Sequence, residues 1–358
     1  MKILFLTGSL NQGGAEYQIL ELAKLFKNKG HEIEVFAITD YSFYKTFIDA
    51  NNIKYSHLLN HQSKVKRIWL TTKKIRKENP EVIISYLKVP SQVTVVARLL
   101  SRRKTKLIVG ERTSDVRPLL DKIHFTLMRF ANFVTVNSIS KLNYITNRFP
   151  KLRNKIAFFP NIIDIEKFNF IHKKYTYQFL TIGFVGRISP EKNLMNLVKA
   201  VQILKCKETN VQLLIYGDTR NAEYLNTIET FIKENRLEDE VLFKGISNNV
   251  VQVYKEIDVL CLISDYEGFS NVLSEGLASG LPLITSDIAE NRFLVENKEN
   301  GYVVNQKDPE DIAKGIEDYM KLTSEVKLKM AKTNRAKAEK MFDKEILYTN
   351  YIGLINTL

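Results

Sequence analysis

Apolar residues along this chain fall into short unbroken runs, separated by longer stretches where they recur every three or four positions. Runs of this kind are expected of strands buried on both faces, and the longer spacing is that of amphipathic helices. Lys2 to Thr7 and Glu32 to Ile38 read as strands on either side of a helix over Ala15 to Lys29, which places Ile19, Leu22, Ala23 and Phe26 on one face: a βαβ unit. Further strands are predicted at Val82 to Tyr86, Leu107 to Val109, Phe133 to Val136 and Ile156 to Phe159. The scheme then repeats. Leu180 to Val185, Val211 to Tyr216, Val241 to Lys244, Val259 to Ile263 and Leu281 to Thr285 are apolar runs, with helices such as Asn193 to Lys205 and Ala222 to Asn235 among them. The pattern predicts an α/β chain of two doubly wound, Rossmann-like domains, 1–168 and 178–343, with a lysine-rich linker around 165–177.

Composition narrows the class. At 358 residues, 44% hydrophobic and 26% charged, the chain has the balance of a folded two-domain protein, and no apolar run approaches the about 18 to 20 residues of a membrane span. Its start runs into polar Asn11 and Gln12 without a signal-peptide cleavage pattern, so a cytoplasmic protein is expected. Cys206 and Cys261 lie in a helix-like and a strand-like segment and read as core fillers, without metal-ligand spacing or a disulfide framework. Charge is more telling. The first 170 residues carry 29 Lys and Arg against 13 Asp and Glu, a net of +16, whereas the remainder nets −3. The clusters 64–67, 73–77 and 98–106 would set up a positive field suited to nucleic acid, an anionic membrane or a phosphorylated acceptor, or serve solubility alone.

In open parallel sheets ligands gather at the carboxyl ends of strands, so the loops after the predicted strands are the candidates for chemistry. The first, Thr7 to Glu16, pairs Gly13 with Gly14 before a helix, which allows close approach to a ligand or simply eases the helix entry. It is no triphosphate loop, because Gly14 and Ala15 stand where Lys and Ser/Thr are needed. The second, Gly186 to Asn193, offers Arg187 and Lys192 as a diphosphate clamp, unless they only pair with nearby acids. Tyr216-Gly217-Asp218 and the Gly245-Ile246-Ser247 turn follow two further strands, and the latter could frame a base. The last, Glu267-Gly-Phe269-Ser270-Asn271-Val272-Leu-Ser-Glu275, sets two carboxylates around a strand-to-helix turn, with Asn271 available to cap a helix ending near Gly280.

Taken together these elements resemble the retaining glycosyltransferases of family 4, which have the two-domain GT-B fold. The resemblance rests on Gly13-Gly14-Ala15-Glu16, Pro160-Asn161-Ile162-Ile163-Asp164 with Phe168, Gly186-Arg187 with Lys192-Asn193, and the Glu267/Glu275 pair followed by Ala278-Ser279-Gly280-Leu281-Pro282. It implies that the second domain binds a nucleoside-diphosphate sugar, that the first binds the acceptor across a cleft, and that a helix near 344–358 crosses back onto the first domain. By that likeness Arg187 and Lys192 hold the diphosphate, Glu275 the ribose hydroxyls, and Glu267 with the amides of Phe269 and Ser270 the donor sugar. Gly14 approaches the diphosphate. Catalysis is then expected to need neither a protein nucleophile nor a cofactor or metal, the donor phosphate taking the acceptor proton. Many relatives have a histidine after the strand where this chain reads Val109-Gly110-Glu111-Arg112-Thr113, which makes Glu111 and Arg112 the acceptor-side candidates; His124, within an apolar helical pattern, reads as packing.

A basic first half also fits attachment to the inner face of an anionic plasma membrane, where a polyprenyl-diphosphate-linked saccharide would be presented for surface-glycan assembly. The stripe from Leu119 to Phe133 either faces lipid or packs in the core. Two other classes fit less well. A GT-B-fold nucleotide-sugar epimerase needs cleft histidines, and none of His31, His57, His61, His124 and His172 follows a candidate loop. A basic nucleic-acid-binding protein needs a recognition module, and none is legible.

Overall fold

The computed structural model describes every residue except 12, 41, 60–61, 113–116, 174–178, 220 and 358. Residues 174–177 of the expected linker, Gln12, His61 and Thr113 thus lie outside the described residues. The chain forms two compact units, 1–162 with 343–358, and 163–342.

The first unit alternates β1 (Lys2–Thr7), α1 (Gly14–Asn28), β2 (Glu32–Ala37), α2 (Lys45–Ala50), β3 (Lys54–His57), α3 (Lys64–Glu78), β4 (Val82–Tyr86), α4 (Lys88–Ser101), β5 (Lys106–Glu111), α5 (Pro118–Met128), β6 (Phe133–Val136), α6 (Ile139–Arg148) and β7 (Ile156–Phe158). All strands are parallel, in the order β3-β2-β1-β4-β5-β6-β7. Alternate residues of each strand serve opposite faces. Ile3, Phe5, Val82 and Ile84 meet α1 and Ile48 of α2 on one side, while Leu4, Leu6, Ile83 and Leu107 meet α3, α4, α5 and α6 on the other.

The second unit continues with β8 (Leu180–Val185), α7 (Leu194–Cys206), β9 (Val211–Tyr216), α8 (Ala222–Glu234), β10 (Val241–Gly245), α9 (Val250–Glu256), β11 (Val259–Leu262), α10 (Asn271–Ser279), β12 (Leu283–Ser286), α11 (Ala289–Leu294), β13 (Gly301–Val304), α12 (Pro309–Met320) and α13 (Ser324–Met341). Its sheet runs β10-β9-β8-β11-β12-β13, again parallel. A last helix, α14 (Lys344–Asn356), packs on the first unit through Leu347, Tyr351 and Ile355.

The change of unit falls after Ile162, six residues before the boundary read from sequence, and contacts explain it. Gln18 of α1 pins Ile162 in the first unit, its amide donating to the Ile162 carbonyl at 3.0 Å and its oxygen accepting from the Ile162 N–H at 2.6 Å. Beyond that point Arg335 of α13 donates to the carbonyls of Ile165 and Phe168, and the Phe168 ring lies 5.9 Å from that of Tyr254. Two short strands, β3 and β13, go beyond the strands expected from sequence: both are sheet edges, β3 the half-exposed Lys-Tyr-Ser-His and β13 the brief apolar Gly-Tyr-Val-Val.

Tyr351 ties α14 to its unit. It is 1% exposed, with its ring 4.5 Å from Phe159 and edge-on to Phe26 at 6.0 Å. Tyr351→Ala is expected to lower stability by about 3–5 kcal/mol, the usual cost of emptying a buried aromatic site. Urea unfolding would register this as a drop in midpoint, and an unchanged midpoint would contradict the packing role.

Candidate functional site

Strand order reverses in the second sheet between β8 and β11, and a reversal opens a crevice beyond the carboxyl ends of the two strands. The loops after β8 and β11 meet there, joined by a hydrogen bond from the Asp265 N–H to the Glu191 carbonyl at 2.9 Å. Glycine geometry shapes the neighbouring edge. Gly186 and Gly217 have φ of +153° and +158°, and a Cβ on Gly217 would lie 1.8 Å from the Gly186 carbonyl oxygen, so a side chain is excluded where the two turns touch. Gly217 in turn donates to the Gly245 carbonyl, which draws the end of β10 into the same row. Gly245 has φ +69° and Ile246 beyond it is exposed.

Most of the donor-side candidates converge at the crevice. Lys192 Nζ lies 2.5 Å from Glu267 Oε1, and the same oxygen accepts from the Ser264 hydroxyl at 2.7 Å. Both hydrogen bonds use Oε1, so Oε2 has no partner among the described residues. Arg187, by contrast, is exposed and unpaired among them. The alternative that Lys192 pairs with an acid is therefore realised, but with the other candidate residue rather than with Glu191.

Ser270, not Asn271, caps α10: its backbone is extended and its hydroxyl accepts from the Leu273 N–H at 3.2 Å, which makes Asn271 the first helical residue. Phe269 is buried against Phe293 and Phe342, fixing the turn that leads into the helix, and half-buried Val272 follows the cap. The helix closes at Gly280, in the left-handed conformation expected of a C-terminal glycine. One turn into α10, Glu275 accepts from the Tyr254 hydroxyl at 2.7 Å. Burial pushes its carboxyl up to about 7, against the opposing pull of that hydroxyl and of Lys167. Ser264, Tyr254 and Lys167 escaped the sequence reading; only Ser264, directly after a strand and three residues before Glu267, carried a local signal.

In the first unit Gly13 is clasped by Tyr44, whose hydroxyl accepts from the Gly13 N–H at 3.2 Å and donates to its carbonyl at 3.0 Å. Gly14 is the exposed first residue of α1. The Glu16 carboxylate folds back over Gly13, and burial raises its pKa. The two acceptor-side candidates, Glu111 and Arg112, are both buried in the first unit. Arg112 is 9% exposed, its guanidinium over the Tyr86 ring at 4.2 Å, with its terminal nitrogens donating to the Phe159 carbonyl and the hydroxyls of Tyr86 and Tyr351 and its buried Nε left without a partner among the described residues. Glu111 is 2% exposed, with Oε1 2.6 Å from His124 Nε2, and Gln92 holds the other ring nitrogen at 3.3 Å. His124 is buried as expected, but as the polar partner of Glu111 rather than as apolar filling.

Comparison with known proteins agrees with this fold. Residues 164–338 match the family described as Glycosyl transferases group 1, and residues 12–167 match Glycosyltransferase Family 4. The capsular polysaccharide biosynthesis glycosyltransferase CapM of Staphylococcus aureus is 26% identical over 302 residues, 78% of either chain. A Campylobacter jejuni α-1,4-N-acetyl-D-galactosaminyltransferase, named for an undecaprenyl-diphosphate-linked GalNAc-GalNAc-diNAcBac acceptor, is 29% identical over 335 residues, 88% of either chain. Among solved structures, Anabaena HepE in complex with UDP superposes with a TM-score of 0.89 over 100% of both chains at 20% identity, a likeness of fold. With two Rossmann-like domains of GT-B type and family matches that run nearly end to end, this chain belongs to glycosyltransferase family 4.

Proposed function

We propose that this glycosyltransferase moves a sugar from a nucleoside diphosphate, with retention of anomeric configuration and without a bound metal, to a lipid-linked saccharide in bacterial surface-glycan assembly. The observation that carries the donor side is the crevice between β8 and β11, where the Lys192–Glu267 pair, exposed Arg187 and the capped start of α10 stand together. An incoming diphosphate competes for Lys192 and adds the Arg187 fork, so the cations move their partnership from Glu267 to the leaving group. Glu267, still held by Ser264, turns its oxygens to the sugar. Fixed cations stabilise charge as it develops on the departing diphosphate, and one of its oxygens takes the acceptor proton on the face where the bond breaks. Glu275 accepts from the ribose hydroxyls. A uridine donor is supported by the neighbouring HepE structures with UDP and UDP-glucose, and a lipid-linked acceptor by the names of the Campylobacter jejuni relatives. The basic first half supports a place at an anionic membrane surface.

Three measurements test this. Thermal-shift titration against UDP, GDP and ADP and their sugar conjugates is expected to show a selective rise with one base that survives EDTA. No rise with any of them, in folded protein, would sink the donor site, and a rise abolished by EDTA would sink its metal independence. Arg187→Ala is expected to lower kcat by about 10²–10³-fold with an unchanged melting temperature, and Lys192→Ala to lower kcat as much and the melting temperature as well, because it strands the Glu267 carboxylate. Glu267→Gln should lower kcat more than UDP affinity, and near-normal turnover in the three variants would remove their roles.

Glu275 gives a pH signature in the free protein. Its folded pKa of about 7 lies above the 4.5 of a free carboxyl, so its contribution to stability is complete below about 4.5 and is lost as pH rises through 7. Glu275→Gln, always neutral, should therefore gain on the wild type between pH 5 and pH 8, by on the order of 2 kcal/mol after discounting its partial exposure. Melting curves of the two proteins across that range would test it, and a constant difference would mean that Glu275 is not held neutral.

A further inference from the structure

Helix α5 has three faces where a surface helix of a globular unit has two. Asp121, His124, Phe125 and Met128 point inward and are buried. At about 100° per residue the next arc, about 100° wide, holds Leu119, Leu120, Ile123 and Leu127, and Phe130 continues its line just past the helix end. The remaining arc holds exposed Lys122, Thr126 and Arg129. The apolar arc is in water. Leu119 is 83% exposed, Leu120 58%, Ile123 67% and Phe130 55%. Scattered apolar residues on a surface need no explanation, but a stripe along one helix does. The helical layer extends it: Arg98 of α4 donates to the Phe130 carbonyl at 2.9 Å, which brings exposed Leu99 and Leu100 beside the end of the stripe.

We infer that this stripe is a bilayer-docking surface, which lies along the headgroup boundary of an anionic membrane with Leu119, Ile123 and Phe130 inserted and Lys122 and Arg129 among the lipid phosphates. Charge decides the occupant. The first 170 residues net +16, and cations border the stripe along α5 and follow α4 as exposed Arg102, Arg103 and Lys104. A second copy packed face to face would set these cations against their own equivalents. Nucleic acid would use the cations and leave the leucines in water. An anionic bilayer satisfies both, since apolar burial and attraction to acidic lipid add in an interfacial helix. The inference deepens the lipid-linked acceptor proposed above and rests on that reading for its purpose. It also assigns a use to α5, the helix that immediately follows β5 in the unit proposed to take the acceptor.

The test uses the full chain and vesicles of phosphatidylcholine with or without phosphatidylglycerol. Wild type is expected to co-sediment with the anionic vesicles, more weakly at high salt, and not with the neutral ones. Leu119→Asp/Ile123→Asp should cut the partition coefficient at least tenfold while its melting temperature and any nucleotide-induced shift stay at wild-type values. Lys122→Glu/Arg129→Glu should also weaken binding and flatten the salt dependence. The surface is overturned if the aspartate variant binds as wild type does, if only the charge variant loses binding, or if wild type ignores vesicles and forms a dimer that the aspartate variant dissolves. A wild type that gains no stability from any nucleotide, yet loses vesicle binding in the aspartate variant, would sink the transferase reading and leave the docking surface standing.

Discussion

The bond between Lys192 and Glu267 is the constraint on which the donor-side geometry depends. Each residue sits on a loop leaving a different strand at the point where sheet order reverses, and the loop that carries Lys192 has only the short 3-10 turn Pro190–Lys192 as regular structure. A cation and an anion that are both largely withdrawn from water, at 23% and 11% side-chain exposure, must satisfy one another or be expelled. Their pairing holds the two loops in register without ligand. It also keeps the lysine aimed along the crevice, so little order remains to be imposed when an anion arrives.

A second constraint is how the fold treats buried carboxyls. Glu275 is withdrawn from water with a phenol as its nearest partner and a lysine further off, and its proton is correspondingly hard to remove. Glu111 shares one oxygen with His124, and Arg112 has no carboxylate partner among the described residues but is spread over a carbonyl and two hydroxyls. These arrangements differ in purpose. The hydrogen-bond partners of Glu111 and Arg112 lie within the first unit, with Glu111 Oε2 and Arg112 Nε left over among the described residues, whereas Glu275 stands one turn inside a helix that begins at the crevice.

The sheet was legible where strands are buried on both faces. Lys2–Thr7, Val82–Tyr86, Phe133–Val136, Leu180–Val185 and Val211–Tyr216 were read to the residue, because a buried parallel strand must be continuously apolar. Edge strand β3 escaped for the complementary reason, and β13 because its apolar run is only three residues long. On the donor side the types and loops of Arg187, Lys192, Glu267 and Glu275 were visible, but not what each one touches. Lys192 and Glu267 are 75 residues apart, Tyr254 and Glu275 21, and nothing local links either pair. That Glu111 and Arg112 are buried was not legible, because the end of a strand can turn its side chains inward as readily as outward, and only the packing of α5 and α14 decides which.

The first unit is not continuous in the chain, and this orders its assembly. Phe26 and Phe159 close their core only against Tyr348 and Tyr351 of α14, and α14 appears only after residues 163–342 have been made. During synthesis the N-terminal unit therefore cannot be completed before the second has been made. The second unit, made without interruption, can complete itself on the ribosome, while the first waits with a greasy seam open until its closing helix emerges.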